Sequence, residues 1–152
     1  MIEGVRTREL RKNVDDRGYL MEVFRKDWDD VFQQFGQAYV SLNYPGVIRA
    51  WHFHERQHDV FVGLSGMMKV PLYDARADSK TKGEVNEFII GVDRPMAILI
   101  PPGVYHGYMT LGTEPSLLLN FPTELYDPKA PDEHRVPYDS PDIPYSWAIK
   151  FR

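Results

Sequence analysis

The feature that most constrains this chain is its series of short apolar or alternating runs, each closed by Gly, Pro or Asp. They fall at Gly18 to Phe24, Ala38 to Leu42, Arg49 to Phe53, Val60 to Leu64, Met67 to Tyr73, Glu84 to Ile90, Met96 to Ile100 and Leu117 to Phe121. Runs of this length, with turn residues between them, predict strands rather than helices. Eight such strands suit an all-β jelly-roll barrel. A short helix is expected from Asp27 as N-cap, with Asp30 in its first turn, through Val31-Phe32-Gln33-Gln34-Phe35 to a stop at Gly36. Residues 74–83 are polar and read as a solvated loop, and the Pro- and aromatic-rich stretch from Asp127 to Trp147 should lie extended over the barrel.

Superposed on this pattern is a spaced set of metal-ligand residue types. Gly46 is followed after five residues by His52-Phe53-His54, after four more by Asp59, and after six more by Gly66. A second block, Pro101-Pro102-Gly103-Val104-Tyr105-His106, follows the run Met96–Ile100. Side chains two apart on a strand share a face, so His52 and His54 converge. Three of the five histidines and one carboxylate then point into one interior, and imidazole with carboxylate is an ordinary shell for a divalent transition metal such as zinc, iron, nickel or manganese. By the same alternation His58 points away from the interior, and His134, in the charged stretch Pro131–Arg135, is solvated. Trp51 alternates away from His52 and reads as packing, and Met67-Met68 continues a core strand.

Composition sets the remaining bounds. At 152 residues, 43% apolar and 26% charged, the chain has about one domain's length and enough apolar content for a core. A net charge of −4 with no basic stripe gives no footprint for nucleic acid. There is no apolar run long enough to span a membrane and the N-terminal residues lack the apolar core of a signal peptide, so the expectation is a cytoplasmic protein.

The two-part His pattern resembles the cupin motifs. With Asp16-Arg17-Gly18-Tyr19-Leu20-Met21-Glu22-Val23-Phe24, Gly46-Val47-Ile48-Arg49-Ala50-Trp51-His52-Phe53, Tyr73-Asp74-Ala75-Arg76, Ile100–Gly107 and Tyr126-Asp127-Pro128 read alongside, the chain resembles the dTDP-4-dehydrorhamnose 3,5-epimerase family from residue 15 to about 147. The resemblance implies a cupin barrel, an isomerase that removes a proton next to the C4 ketone of a nucleotide-linked sugar, no organic cofactor, and a homodimer with strand 18–24 shared between subunits. It assigns His52 as the base and Arg49 to the nucleotide diphosphate, whose oxygens a guanidinium fork binds bidentately. Arg17 and Glu22 frame the nucleotide, and Gln37 contacts the base. Tyr105, Tyr108, Tyr126, Trp51 and Trp147 form an aromatic supply for stacking on nucleobase or sugar.

The departures from that family carry as much information. Asp59 stands where the family has an enolate-stabilising lysine, His54 stands where it has glutamine, and Asn120 stands where it has the tyrosine acid. The C-terminal carboxylate that partners the base has no counterpart. An amide has no usable proton, so water, Tyr126 or Tyr105 must reprotonate carbon. A metal held by His52, His54, Asp59 and His106 would take over the lysine's role. His52 then faces a conflict: it is either a free base, with His54, Asp59 and His106 orienting substrate, or a ligand, with His58, Tyr105 or a metal-bound hydroxide moving the proton. Two other readings stay open beside the epimerase: a metal-dependent cupin of different chemistry, such as a sugar isomerase, lyase or oxygenase, and a non-catalytic sugar-nucleotide binding homologue.

Overall fold

The structure is a computed structural model describing residues 1–150. Twelve strands form it: β1 (Arg6–Glu9), β2 (Asn13–Asp15), β3 (Gly18–Leu20), β4 (Tyr39–Asn43), β5 (Ile48–Phe53), β6 (Asp59–Ser65), β7 (Met67–Asp74), β8 (Val85–Gly91), β9 (Met96–Ile100), β10 (Val104–Leu111), β11 (Ser116–Asn120) and β12 (His134–Arg135). They make two antiparallel five-stranded sheets, ordered β1-β9-β6-β11-β4 and β12-β5-β10-β7-β8, with β2 and β3 as a separate exposed hairpin. This is an all-β jelly roll.

Three apolar layers explain why β6 and β9 read as continuous runs rather than alternating ones. Between the sheets lie Phe61, Met68, Val70, Leu72, Ile90, Ile98, Ile100, Val104 and Leu118. Outside the first sheet, Val60, Val62, Ala97 and Leu99 are covered by Val31, Phe24 and Trp28. Outside the second, Trp51 and Met109 are covered by Ile143 and Trp147. Central strands covered on both faces need apolar residues at every position.

The segment expected to be helical is not: no α-helix occurs among the described residues. Residues 26–33 are a chain of turns, closed by Trp28 N to Arg25 O and by Val31 N and Phe32 N to Trp28 O. Asp27 spends its carboxylate on the Arg25 guanidinium at 2.8 and 2.7 Å instead of capping, and Asp30 takes Arg8 at 2.9 Å. A segment of this length gains too few intrahelical bonds to nucleate, and burying Trp28 and Val31 on the sheet decides its path. The strand expected over residues 18–24 stops at Leu20.

The polar loop at 74–83 is organised around one carboxylate. Asp74, fully buried, accepts from Arg76 Nε and Nη2, both at 2.9 Å, from Ser79 Oγ at 2.6 Å and from Thr81 Oγ1 at 2.7 Å. The C-terminal segment runs across the second sheet, where the indoles of Trp51 and Trp147 both donate to Tyr138 O and Lys69 Nζ donates to the carbonyls of Trp147 and Ala148. Among the described residues no helix is long and apolar enough to cross a membrane.

Candidate active site

A cavity of about 670 Å³ opens between the two sheets. The first sheet contributes Tyr39, Ser41, Asp59, Phe61 and Leu118, and the second contributes Arg49, His52, His106, Tyr108 and Arg135. His54, Gln37, Tyr126 and Glu133 come from connecting segments.

A β-bulge places Arg49 and His52 together. On β10, His106 pairs with His52 and Tyr108 with Arg49, so Ala50 and Trp51 oppose the single residue Gly107. Strict alternation would send positions three apart to opposite faces. The extra residue restores them to one face, as bulges beside functional sites do. Gly107 permits it, since a Cβ there would lie 2.4 Å from Ala50 Cβ and 2.7 Å from Arg49 O. Arg49 is oriented by Nε donation to Asn43 Oδ1 at 3.0 Å, and its Nη1 has no acceptor among the described residues.

Deeper in the cavity, His54, Asp59 and His106 converge, with one ligand atom of each inside 4.8 Å of the others. Asp59 Oδ2 is 3.0 Å from His54 Nε2 and 3.2 Å from His106 Nε2. Its Oδ1 accepts from Gln57 at 2.9 Å and from Asn120 at 3.0 Å. The far ring nitrogens face carbonyls: His54 Nδ1 meets Asp132 O, and His106 Nδ1 meets Val104 O at 3.0 Å. A carbonyl only accepts, so each Nδ1 carries a proton and donates. In neutral rings, both Nε2 lone pairs and a carboxylate oxygen then meet at one point. Gln57 Nε2 reaches His54 Nε2 at 3.3 Å, but the His106 lone pair still faces the carboxylate, an arrangement that an added proton or a metal ion would relieve. Imidazoles fixed by Nδ1–H donation to carbonyls are the usual outer support of metal ligands. Ligand arms of about 2.0–2.1 Å in a tetrahedral shell put ligand atoms roughly 3.3 Å apart, close to the spacing seen. Burial raises the Asp59 carboxyl, but its interaction with the His106 and His54 imidazoles outweighs it and holds it well below the usual range. Burial lowers His54, and Asp59 more than offsets it, leaving the imidazole raised.

His52 stands apart from this group, which corrects the four-ligand expectation. Its nitrogens fall outside the 4.8 Å grouping that joins His54, Asp59 and His106, its ladder partners are His106 and Arg135, and it faces the cavity beside Glu133. Burial, with help from His106, pushes its pKa down to about 4, so the imidazole is neutral near pH 7.

The other expected site residues divide. Gln37 and Tyr126 line the mouth, where Tyr126 N donates to Gln37 Oε1 at 3.4 Å. Asn120 is buried behind Asp59. Tyr105 is not in the cavity: adjacent to inward-facing His106, it must point to the other side, where it packs on Phe53 at 4.5 Å and lines a separate 170 Å³ hollow beneath the C-terminal segment. His58 is half-buried and outside the cavity. Arg17 and Glu22 are at the surface of this chain, held by Asp15 at 2.5 Å and Arg25 at 2.5 Å. Trp51 and Trp147 are in the outer core. Sequence reasoning missed Glu133, Gln57 and Tyr39. For Tyr39 a signal existed, because Gln37, Tyr39 and Ser41 alternate onto one face.

The model of the family described as dTDP-4-dehydrorhamnose 3,5-epimerase matches residues 1–152. The chain belongs to the dTDP-4-dehydrorhamnose 3,5-epimerase family. The spore coat polysaccharide biosynthesis protein SpsL of Bacillus subtilis is 47% identical over 152 residues, covering 100% of each chain. A Haloferax volcanii protein named "Probable low-salt glycan biosynthesis epimerase Agl13" is 50% identical over 147 residues, 96% of this chain and 94% of that one. Among solved structures, a dTDP sugar isomerase from Desulfovibrio desulfuricans superposes with a TM-score of 0.89 at 32% identity, covering 96% of this chain and 92% of the other. The chain is therefore a nucleotide-sugar epimerase, an isomerase-class enzyme, built as a jelly roll like that of the Desulfovibrio dTDP sugar isomerase.

Proposed function

We propose that this epimerase inverts carbon next to the ketone of a dTDP-linked 4-keto-6-deoxyhexose, at C3 or at C3 and C5, with His52 as the base. The observation that carries the assignment is the bulge, which presents on one cavity face a neutral imidazole and a guanidinium whose Nη1 has no acceptor among the described residues. Arg49 holds the diphosphate and His52 takes the proton. Glu133 favours the imidazolium that forms, because its charge raises the His52 pKa against burial. Gln37 and Tyr126 at the mouth suit the nucleobase end. The names of SpsL and Agl13 support a product destined for a polysaccharide or glycan. A charged nucleotide sugar does not cross a bilayer unaided, which goes with a cytoplasmic enzyme.

His54, Asp59 and His106 would hold one divalent transition metal (zinc, iron, nickel or manganese), leaving His52 free as base. When bound, such an ion supplies electrophilic stabilisation of the enolate oxygen, as the family's lysine would. A homodimer is part of the proposal. Val14, Tyr19 and Leu20 on the hairpin and Val40 and Leu42 on edge strand β4 are exposed apolar side chains that a second copy would cover.

The test is NMR of dTDP-4-keto-6-deoxyglucose with purified enzyme, alongside elemental analysis of wild type and His54→Ala. Inversion at C3 or C5, with near-stoichiometric metal lost in the variant, is the expected result. An unchanged sugar overturns the substrate assignment, and absence of metal in both proteins overturns the metal site.

A further inference from the structure

Inversion needs a proton delivered to the face opposite the base, and position 120, where the family carries its acid, here holds an amide with no proton to give. Three tyrosines line the cavity: Tyr39, Tyr108 and Tyr126. Tyr108 commits its hydroxyl to Ser41 Oγ at 2.5 Å. Tyr126 is at the rim, 61% exposed, and among the described residues no side-chain hydrogen bond holds its hydroxyl.

Tyr39 differs from both. It pairs directly with Asn120 across the β4–β11 ladder, and its hydroxyl lies 2.9 Å from Asn120 Nδ2. The orientation of that amide is dictated by Asp59, since a carboxylate oxygen at 3.0 Å accepts only and must face the NH₂ end. The orientation is kept even though it leaves Asn120 Oδ1 buried without a partner. The second Nδ2 hydrogen then goes to the Tyr39 oxygen, so that oxygen accepts, and the phenol's own proton has no acceptor among the described residues. The residue as a whole is 46% exposed along edge strand β4, but its hydroxyl end is tucked against Asn120 beside the cavity. Tyr39 also comes from the sheet opposing the one that carries His52.

We infer that Tyr39 is the general acid of this epimerase, relocated by one strand from position 120, and that Asn120 positions it. The inference rests on the epimerase reading with His52 as base. His52 removes the proton from the carbon next to the ketone, and the C–H pair moves to the carbonyl oxygen as an enolate. On the opposite face the Tyr39 O–H bond breaks as the new C–H bond forms, and the electron pair on oxygen restores the ketone. The resulting phenolate regains a proton from water through the mouth of the cavity, and the His52 imidazolium gives its proton to water.

The test is Tyr39→Phe in D₂O with dTDP-4-keto-6-deoxyglucose, read by NMR for deuterium at the reacting carbon and separately for inversion there. Loss of the acid should lower inversion about 100-fold or more, while His52 continues to exchange the same carbon on its own face within a few-fold of wild type. Inversion within threefold of wild type overturns the assignment. So does loss of exchange together with inversion in a variant that still binds dTDP, because the acid is not needed to remove the proton. His52→Gln separates the two readings: persistent exchange in that variant would mean the base assignment has failed, whereas persistent inversion in Tyr39→Phe would mean this one has.

Discussion

Gly107→Ala adds a single methyl group, and its effect can be worked from the bulge. The new Cβ would sit 2.4 Å from Ala50 Cβ, 2.7 Å from Arg49 O and 2.9 Å from Ala50 Cα. Ordinary carbon contacts are about 3.5–4.0 Å, so β5 must withdraw from β10 by roughly 1 Å. The atoms that block it are mostly backbone, and no rotamer change relieves them. Overpacking of this kind costs about 1–3 kcal/mol, which at roughly 2–4 °C per kcal/mol lowers Tm by about 2–12 °C. The functional cost should be larger, because the strand that moves carries both Arg49 and His52, and a displacement of about 1 Å from productive geometry costs on the order of 100-fold in rate. The double variant with Ala50→Gly removes the shortest contact but leaves the two backbone ones, so rescue should be partial. Calorimetry and an NMR-monitored epimerisation assay read both effects. A Gly107→Ala enzyme with wild-type Tm and turnover would refute the claim that this glycine keeps β5 in register to present the two side chains.

Asp74→Asn should cost about 2 kcal/mol at pH 7, because the charged acceptor of the 74–83 loop is lost. Burial raises that carboxyl, but hydrogen bonds from Arg76, Ser79 and Thr81 hold it well below the usual carboxylate range. A depressed folded-state pKa stabilises above the unfolded value near 4 and loses that contribution as pH falls further, so the gap between the two proteins should narrow below about pH 4 in denaturant titrations. Lys69→Met keeps the buried stem but leaves the Trp147 and Ala148 carbonyls without their donor. A loss of about 1–3 kcal/mol and faster proteolytic cleavage within residues 136–150, with the rest of the barrel intact, are expected.

Much of the barrel was legible because β6, β7 and β9 are apolar runs bounded by turn residues, and a strand covered on both faces must be written that way. Strand β10 was not, although it carries His106. Gly107 and Thr110 interrupt its pattern, and Thr110 is tolerated only because Asn43 and Ser116 satisfy it from other strands. Strand β1 is Arg-Thr-Arg-Glu, an edge whose place is set by pairing with β9 rather than by its own composition. In the site, the spacing of His54, Asp59 and His106 announced their convergence. The meeting of Arg49 with His52 on one cavity face depends on a bulge, and a bulge is a property of pairing between β5 and β10, not of either sequence alone. Tyr105 was readable: a residue next to inward-facing His106 on a strand faces outward. Arg17 and Glu22 came from resemblance, and within one chain they are held in local ion pairs and do not line the cavity.

The central claim is that this cavity removes a proton from carbon next to a sugar ketone with His52 as the base. Incubation of wild type and His52→Gln in D₂O with dTDP-4-keto-6-deoxyglucose, followed by mass and NMR analysis of the recovered sugar, tests it most directly. The account predicts deuterium at C3, or at C3 and C5, with wild type, and a loss of about 100-fold or more in exchange for a folded His52→Gln enzyme. Exchange at the wild-type rate in His52→Gln, or none with wild type, would contradict it.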